Sequence, residues 1–294
     1  MSDRVTIDLK AGVADVRLNR PDKMNAVDPP MFEALTEAGN ALAQEPGVRA
    51  VVLSGEGRGF CAGLDMASFA AMSQGDRKEK KTENKTENKT ESKTESKTES
   101  KTESGGRNLL SEGSAGPANF AQGAAWVWRT LPVPVIAAIH GVAYGAGLQI
   151  ALGADMRITT PDARLSVMEI KWGLIPDMSG TQTLRHLVRD DVARELTFTG
   201  RIISGEEARE LGLATRVDDN PHQAAYDMAM EIASKSPDGI RAGKELLNSA
   251  SLVSLEEGLQ LEAGIQKRLI GKPNQVEAVR ANLEKRAPDF NDPE

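Results

Sequence analysis

The sequence predicts an α/β body followed by an α-helical extension. Two apolar runs, 48–53 (VRAVVL) and 134–139 (PVIAAI), have the length of buried strands, and each leads through glycine toward a helical pattern. Strand-like and helix-like stretches then mix up to about residue 220, and a helical tail follows. The predicted division is therefore a body over 1–220 and a helical region over 221–294.

Residues 5–9 and 13–18 alternate around Ala11-Gly12, the signature of a hairpin. A turn-rich loop, NRPDKMNAVDPP, comes next. Pro29 and Pro30 suit a helix start, and Met31, Leu35, Ala38 and Leu42 are spaced along one helical face over 31–44. After the strand at 48–53, FCAGLDM (60–66) leaves a loop through glycine toward a helix. Residues 117–130 read as a helix carrying Trp126 and Trp128, stopped by LPVP. The strand 134–139 runs into HGVAYGAGLQ, where Gly141, Gly145 and Gly147 turn the chain into a helix. Strands are expected at 154–158, 163–167 and 214–217. Helices are expected at 179–188, 191–198, 205–211, 221–234, 238–249, 255–270 and 273–286.

One segment stands apart. Residues 81–104 are six tandem units, KTEN twice and KTES four times, without an apolar residue. Such a stretch cannot bury a core, and 78–104 is expected to be a disordered insertion in a loop.

Composition excludes several function classes. A net charge of −7 disfavours non-specific nucleic-acid binding. One cysteine, Cys61, rules out an internal disulfide and a cysteine-cluster metal site, and the three histidines (His140, His186, His222) have no metal-ligand spacing. Cys61 is read as a small buried hydrophobe. No run approaches the roughly 20 apolar residues of a membrane span. The start, MSDRVTIDLK, has no signal core, so a soluble cytosolic protein is expected. Neither GxGxxG nor a P-loop is present, so no nucleotide cofactor and no metal are expected.

The two glycine turns carry the chemistry. FCAGLDM and YGAGLQ can each offer a backbone N–H, and two converging N–H groups make an oxyanion hole. The same turns also serve plain packing. At this point the chain resembles the crotonase family, the enoyl-CoA hydratase/isomerase superfamily. The stretches that carry the resemblance are LNRPDKMNA, VVLSGEGRGFCAGLD, PVIAAIHGVAYGAG, RLSVMEIKWGLIPDMSGTQTL, FTGRIISGEEARELGLATRV and EAVRANLEKR. They span nearly the whole chain outside the repeat.

The resemblance implies a spiral of ββα turns with C-terminal helices that pack trimers, and a homotrimer or hexamer acting on acyl-CoA thioesters. Coenzyme A enters as part of the substrate, with no other cofactor, nucleic acid or membrane partner. The amides of Leu64 and Ala146 are implied as the oxyanion donors. Lys23, Met24 and Ala26, with Ala62 and Asp65 nearby, are implied as coenzyme A contacts, and Lys285 as a residue that reaches it from a neighbouring subunit. Lysines at such positions are also common as solvated surface groups.

Family hydratases use two glutamates. Here the first position is Gln149, which orients a water or substrate but is a poor base. The second, Glu169, matches. Asp177 stands where the dienoyl-CoA isomerase branch carries an acid; it is equally suited to the N-terminal end of a helix. One carboxyl group of raised pKa can both remove and return a proton, so the reading favoured is a shift of a carbon–carbon double bond. The alternatives are enoyl-CoA hydration, or a catalytically silent acyl-CoA-binding or scaffold protein.

Overall fold

The computed structural model describes residues 3–67 and 117–293. The insertion expected at 78–104, with its repeat, lies outside the described residues.

The hairpin forms as the alternation predicts. Strand β1 (Val5–Lys10) pairs antiparallel with β2 (Val13–Leu18). Beyond it, β3 (Ala50–Gly55), β4 (Val135–Ile139), β6 (Met156–Thr159) and β9 (Arg216–Val217) join in parallel, giving the order β1-β2-β3-β4-β6-β9. A second sheet has the order β5-β7-β8, from Val142–Tyr144, Arg164–Ser166 and Ile203–Ser204.

The continuous apolar character of residues 50–53 in β3 and of β4 has a clear cause. Their alternate residues enter two different cores, as expected of parallel strands covered on both faces. Val51, Leu53, Val135, Ala137 and Ile139 join the main core. Ala50, Val52, Ile136 and Ala138 face the other way, against Ala224, Ala225, Ala229 and Ala233 of a helix at Pro221–Ala233. The helical region expected from residue 221 thus opens with a helix that covers the large sheet.

Ten α-helices are described: α1 (Pro29–Ala43), α2 (Phe120–Thr130), α3 (Ala146–Gly153), α4 (Gly180–Leu187), α5 (Asp190–Thr199), α6 (Gly205–Leu211), α7 (Pro221–Ala233), α8 (Pro237–Ser249), α9 (Leu255–Leu269) and α10 (Pro273–Glu284). Their starts follow from local chemistry. Asp28 caps α1 by accepting from the Met31 amide, with proline at the first helical position. Asn119 and Gln122 form a capping box on α2, and Ser254 and Glu257 form one on α9. Helices α1 and α2 meet through Phe32 and Phe120, ring centroids 5.7 Å apart. Trp128 is fully buried and donates to the Ala124 carbonyl at 3.0 Å.

The extension is tied to the body by a buried cation. Lys244 of α8 donates to Asp155 at 2.7 Å, to the Val133 carbonyl at 2.8 Å and to the Trp128 carbonyl at 3.2 Å.

The structure corrects one detail of the sequence reading. The chain does not pass from β4 through glycine directly into α3. A turn at Gly141 first launches β5, and the helix begins only after Gly145. The inserted strand gives the FCAG loop an edge to lie against.

Candidate active site

That edge brings the two glycine turns side by side. Phe60 N donates to the His140 carbonyl and Cys61 N to the Val142 carbonyl, both at 2.9 Å; Tyr144 N donates back to the Cys61 carbonyl at 3.1 Å. Gly63 (φ +94°) then comes so close to the second turn that a Cβ there would lie 2.7 Å from the Tyr144 carbonyl oxygen and 4.0 Å from the Ala146 nitrogen. Only glycine accepts that backbone and that approach.

Each turn fixes one peptide plane. Val27 N donates to the Gly63 carbonyl at 2.8 Å. Carbonyl and N–H point opposite ways across a trans peptide, so the Leu64 N–H is directed away from Val27. Gln149 N takes the Gly145 carbonyl at 3.0 Å, in the direction of α3. The Ala146 N–H therefore points out of the helix start, where it has no side-chain cap and adds to the positive end of the helix. Leu64 and Ala146 both line one cavity, of about 740 Å³ of empty space with its open mouth included. Ala62, Gln149, Glu169 and Asp177 line it too, with Phe32, Tyr144, Trp172 and Met178 among its apolar walls. The sequence reading did not single out these wall residues; they lie on separate elements, and no local pattern marks them.

Glu169 opens a 3-10 turn (Glu169–Trp172) and is 8% exposed. Its Oε1 accepts from Gln149 Nε2 at 2.6 Å, whereas Oε2 is buried without a hydrogen-bond partner. Burial pushes its carboxyl above the ordinary range. Its own backbone amide and the Gln149 amide oppose the rise, and the Asp177 charge adds to it. Asp177 is on the exposed side of the cavity, and partial burial raises its carboxyl as well, against its own backbone amide.

Gln149 is held in one orientation. Its Oε1 accepts from Met178 N at 2.8 Å and Gly180 N at 3.0 Å, at the start of α4. Only the NH₂ end is left for Glu169. The sequence suggested a role in orienting water or substrate; what the side chain holds here is Glu169.

The loop expected to meet coenzyme A packs beside these turns. Ala62 N donates to the Met24 carbonyl at 2.9 Å, and Asp65 N to the Val27 carbonyl at 3.0 Å. Asn25 anchors the loop. It is fully buried at φ +56°, and its NH₂ donates to the carbonyls of Glu56 and Gly59 at 2.9 Å and of Phe60 at 3.2 Å. Ala26 is buried, Met24 half-buried, and Lys23 exposed, with its charge acting on Asp65. Lys23, Met24, Ala26 and Asp65 lie outside the cavity wall. Lys285 is exposed at the end of α10, also away from the cavity of its own chain.

The histidines and the cysteine stand apart from this chemistry. His140 bonds the Gly57 carbonyl at 3.0 Å, His222 bonds Asp15 at 3.1 Å, and Arg185 donates to His186 at 3.0 Å. Cys61 is fully buried against the Asn25 carbonyl, and burial pushes its thiol up to about 12. Among the described residues no cluster of three or more His, Cys, Asp or Glu could hold a metal ion, and no helix is long and apolar enough to cross a membrane.

Comparison with known proteins agrees with this architecture. The enoyl-CoA hydratase/isomerase family model matches residues 8–97 and 118–293. Mouse mitochondrial methylglutaconyl-CoA hydratase is 28% identical over 95% of this chain and 79% of its own length. The peroxisomal Delta(3,5)-Delta(2,4)-dienoyl-CoA isomerase of Arabidopsis thaliana is 30% identical over 93% of this chain and 90% of its own. The crystal structure of enoyl-CoA hydratase from Bacillus anthracis superposes with a TM-score of 0.80 at 28% identity, covering 99% of this chain and 100% of that one. With its paired glycine turns and this breadth of similarity, the chain belongs to the enoyl-CoA hydratase/isomerase family, within the crotonase superfamily.

Proposed function

We propose that the protein shifts a carbon–carbon double bond in an enoyl-CoA or dienoyl-CoA, with Glu169 as the acid and base. The observation that carries this reading is the state of that carboxyl group. One oxygen is pinned by Gln149 at 2.6 Å and the other is buried and unpartnered, so a single proton-transfer atom is left. Burial raises the pKa toward the range where one group can both take and return a proton.

In the proposed reaction Glu169 removes a C2 proton from a 3-enoyl thioester. The electron pair moves onto the thioester oxygen, and the amides of Leu64 and Ala146 hold the resulting dienolate. Protonated Glu169 then delivers the proton to C4, and the double bond becomes conjugated with the thioester. Each amide donor is worth about 10²–10³ in rate. Coenzyme A enters as the substrate's carrier, and the Lys23–Ala26 loop beside Ala62 and Asp65 receives it. The chemistry asks for no further cofactor.

Hydration is the second reading. It needs a water activated by a second carboxyl, and the amide oxygen of Gln149 is already taken by two backbone N–H groups. Asp177, in the same cavity, is the observation that favours it. A trimer or hexamer is proposed as well, supported by the exposed apolar residues Leu255, Leu259, Val276, Val279 and Leu283 on α9 and α10.

The test is turnover of a 2-enoyl-CoA and a 3-enoyl-CoA, followed by the absorbance of the conjugated thioester. Gain of conjugation from the 3-enoyl substrate, without hydration of the 2-enoyl one, is the expected result. Formation of a 3-hydroxyacyl product from the 2-enoyl substrate would establish hydration instead. Silence on both, with the thioester still bound, would favour a binding protein.

A further inference from the structure

The Leu64 peptide is borne by a loop whose hydrogen bonds run mainly to the neighbouring loop at residues 24–27. Gly63 and Asp65 bond Val27, and Ala62 bonds Met24. The direction of the Leu64 N–H therefore depends on how these two loops are locked together.

Arg20 locks them. Its Nη1 donates to the Ala26 carbonyl at 2.9 Å and to Asp65 Oδ2 at 2.7 Å, and its Nε lies 3.6 Å from Asp28 Oδ2. Its own backbone N donates to Asn25 Oδ1 at 2.8 Å. The Arg20 and Asp65 side chains are only 14% and 15% exposed. Ala26 immediately precedes the residue that orients the Gly63 carbonyl, and Asp65 immediately follows Leu64. The other Asp65 oxygen accepts from Ala67 N at 2.8 Å, which holds the chain beyond it. One guanidinium thus grips the residue just before and the residue just after the two peptides that aim the amide.

We infer that Arg20 is a positioning residue for the oxyanion hole: by clamping Ala26 to Asp65 it sets the direction of the Leu64 N–H, and so governs polarisation of the thioester carbonyl. This inference rests on the reading of the Leu64 and Ala146 amides as donors to the thioester oxygen.

The residue types suit the task. A planar guanidinium presents donors in a fixed fork and can hold a carbonyl and a carboxylate together, whereas an ammonium is a point charge on a flexible stem. Burial works against ionisation of Asp65, but Arg20, the Ala67 amide and the Lys23 charge together hold its carboxyl below the ordinary range. Asp65 therefore stays ionised at neutral pH. A plain structural ion pair would add stability and leave carbonyl polarisation unchanged.

The test uses a bound 2-enoyl-CoA analogue with an electron-donating aryl group, whose absorption band moves to the red as its carbonyl is polarised. The full chain is compared with Arg20→Lys, Asp65→Asn and Arg4→Lys; Arg4, just before the first strand, bonds Asp28 at 2.7 Å and serves as a control for losing a guanidinium ion pair in this region. Thermal melting of each variant checks folding, and Asp65→Asn, which retains an oxygen for Ala67, is the milder change. The expected result is a reduced red shift in Arg20→Lys and Asp65→Asn, with kcat down by about 10²-fold and KM near the original value, as for a misplaced catalytic group. Arg4→Lys should keep the full shift. Retention of the full shift and kcat in folded Arg20→Lys would overturn the inference alone. Equal losses in all three variants, tracking their melting temperatures, would also overturn it. Absence of any red shift when the unaltered protein binds the analogue would remove the oxyanion-hole reading itself.

Discussion

The side-chain NH₂ of Gln149 lies 2.6 Å from Glu169 Oε1, so an amide occupies the place from which a second carboxyl would repel the first. Replacing that amide is the most direct probe of the site. In Gln149→Glu the new carboxyl would inherit the amide hydrogen bonds of Met178 and Gly180, which favour its ionised form. Two carboxylates at this range do not both ionise, so Glu169 would be driven higher still. A higher pKa lowers its ionised fraction at neutral pH. Isomerisation at pH 7 should fall and recover at higher pH, while 3-hydroxyacyl product appears from a 2-enoyl-CoA. Rates on both substrates across pH 5–9 check this.

Glu169→Gln should abolish turnover while strengthening the fold. Loss of the proton-transfer group costs about 10²–10⁴ in rate. For stability the sign follows from the raised carboxyl. A group whose folded pKa lies above its unfolded value binds more protons in the folded state. It therefore destabilises the fold progressively as pH rises from the unfolded value through the folded one, and contributes nothing below both. The variant should melt higher than the original protein at pH 7, and the gap should close near pH 4. A relief of 1 kcal/mol corresponds to about 2–4 °C in a chain of this size. Paired melting curves at the two pH values decide it.

How much of this was legible beforehand depends on how far each feature reaches along the chain. The hairpin, β3, β4 and the long helices are set by local periodicity, and the helix expected at 205–211 and its neighbours survive in the structure with shifts of no more than a residue or two at the ends. Strands β5 and β8 have three and two residues, too short to leave a periodic signal. Their existence depends on partners distant in sequence, Arg164–Ser166 above all. Glu169 and the glycine turns could be read from short motifs. The clamp on Gln149 could not, because it joins α3 to the start of α4 across 29 and 31 residues. The Arg20 side chain likewise reaches 45 residues along the chain to Asp65.

Gly63→Ala should disable the oxyanion hole with substrate binding largely kept. At φ +94° an added Cβ is strained, and it would stand 2.7 Å from a backbone oxygen that cannot swing aside. The Gly63–Leu64 peptide must rotate to relieve the clash, which takes the Leu64 N–H out of line. Loss of one donor predicts a fall in kcat of about 10²–10³ with a small change in KM. Steady-state kinetics, with a melting curve to establish folding, are the check.

Asp177→Asn separates two roles for the second carboxyl. Its charge contributes to the raised pKa of Glu169, so neutralising it lowers that pKa and moves the acid limb of the kcat/KM profile to lower pH. That shift is expected whether or not Asp177 touches substrate. If Asp177 also handles the distal proton of a dienoyl substrate, the plateau rate on a dienoyl-CoA should drop by about 10² or more, while the plateau on a 3-enoyl-CoA stays near its original height, because Glu169 alone can serve both carbons there. A drop on both substrates would instead make Asp177 a general partner of Glu169. No drop on either, with the limb still moved, would leave it only the electrostatic role. The two plateaux and the limb are read from the same pH series, so a single variant assigns the residue.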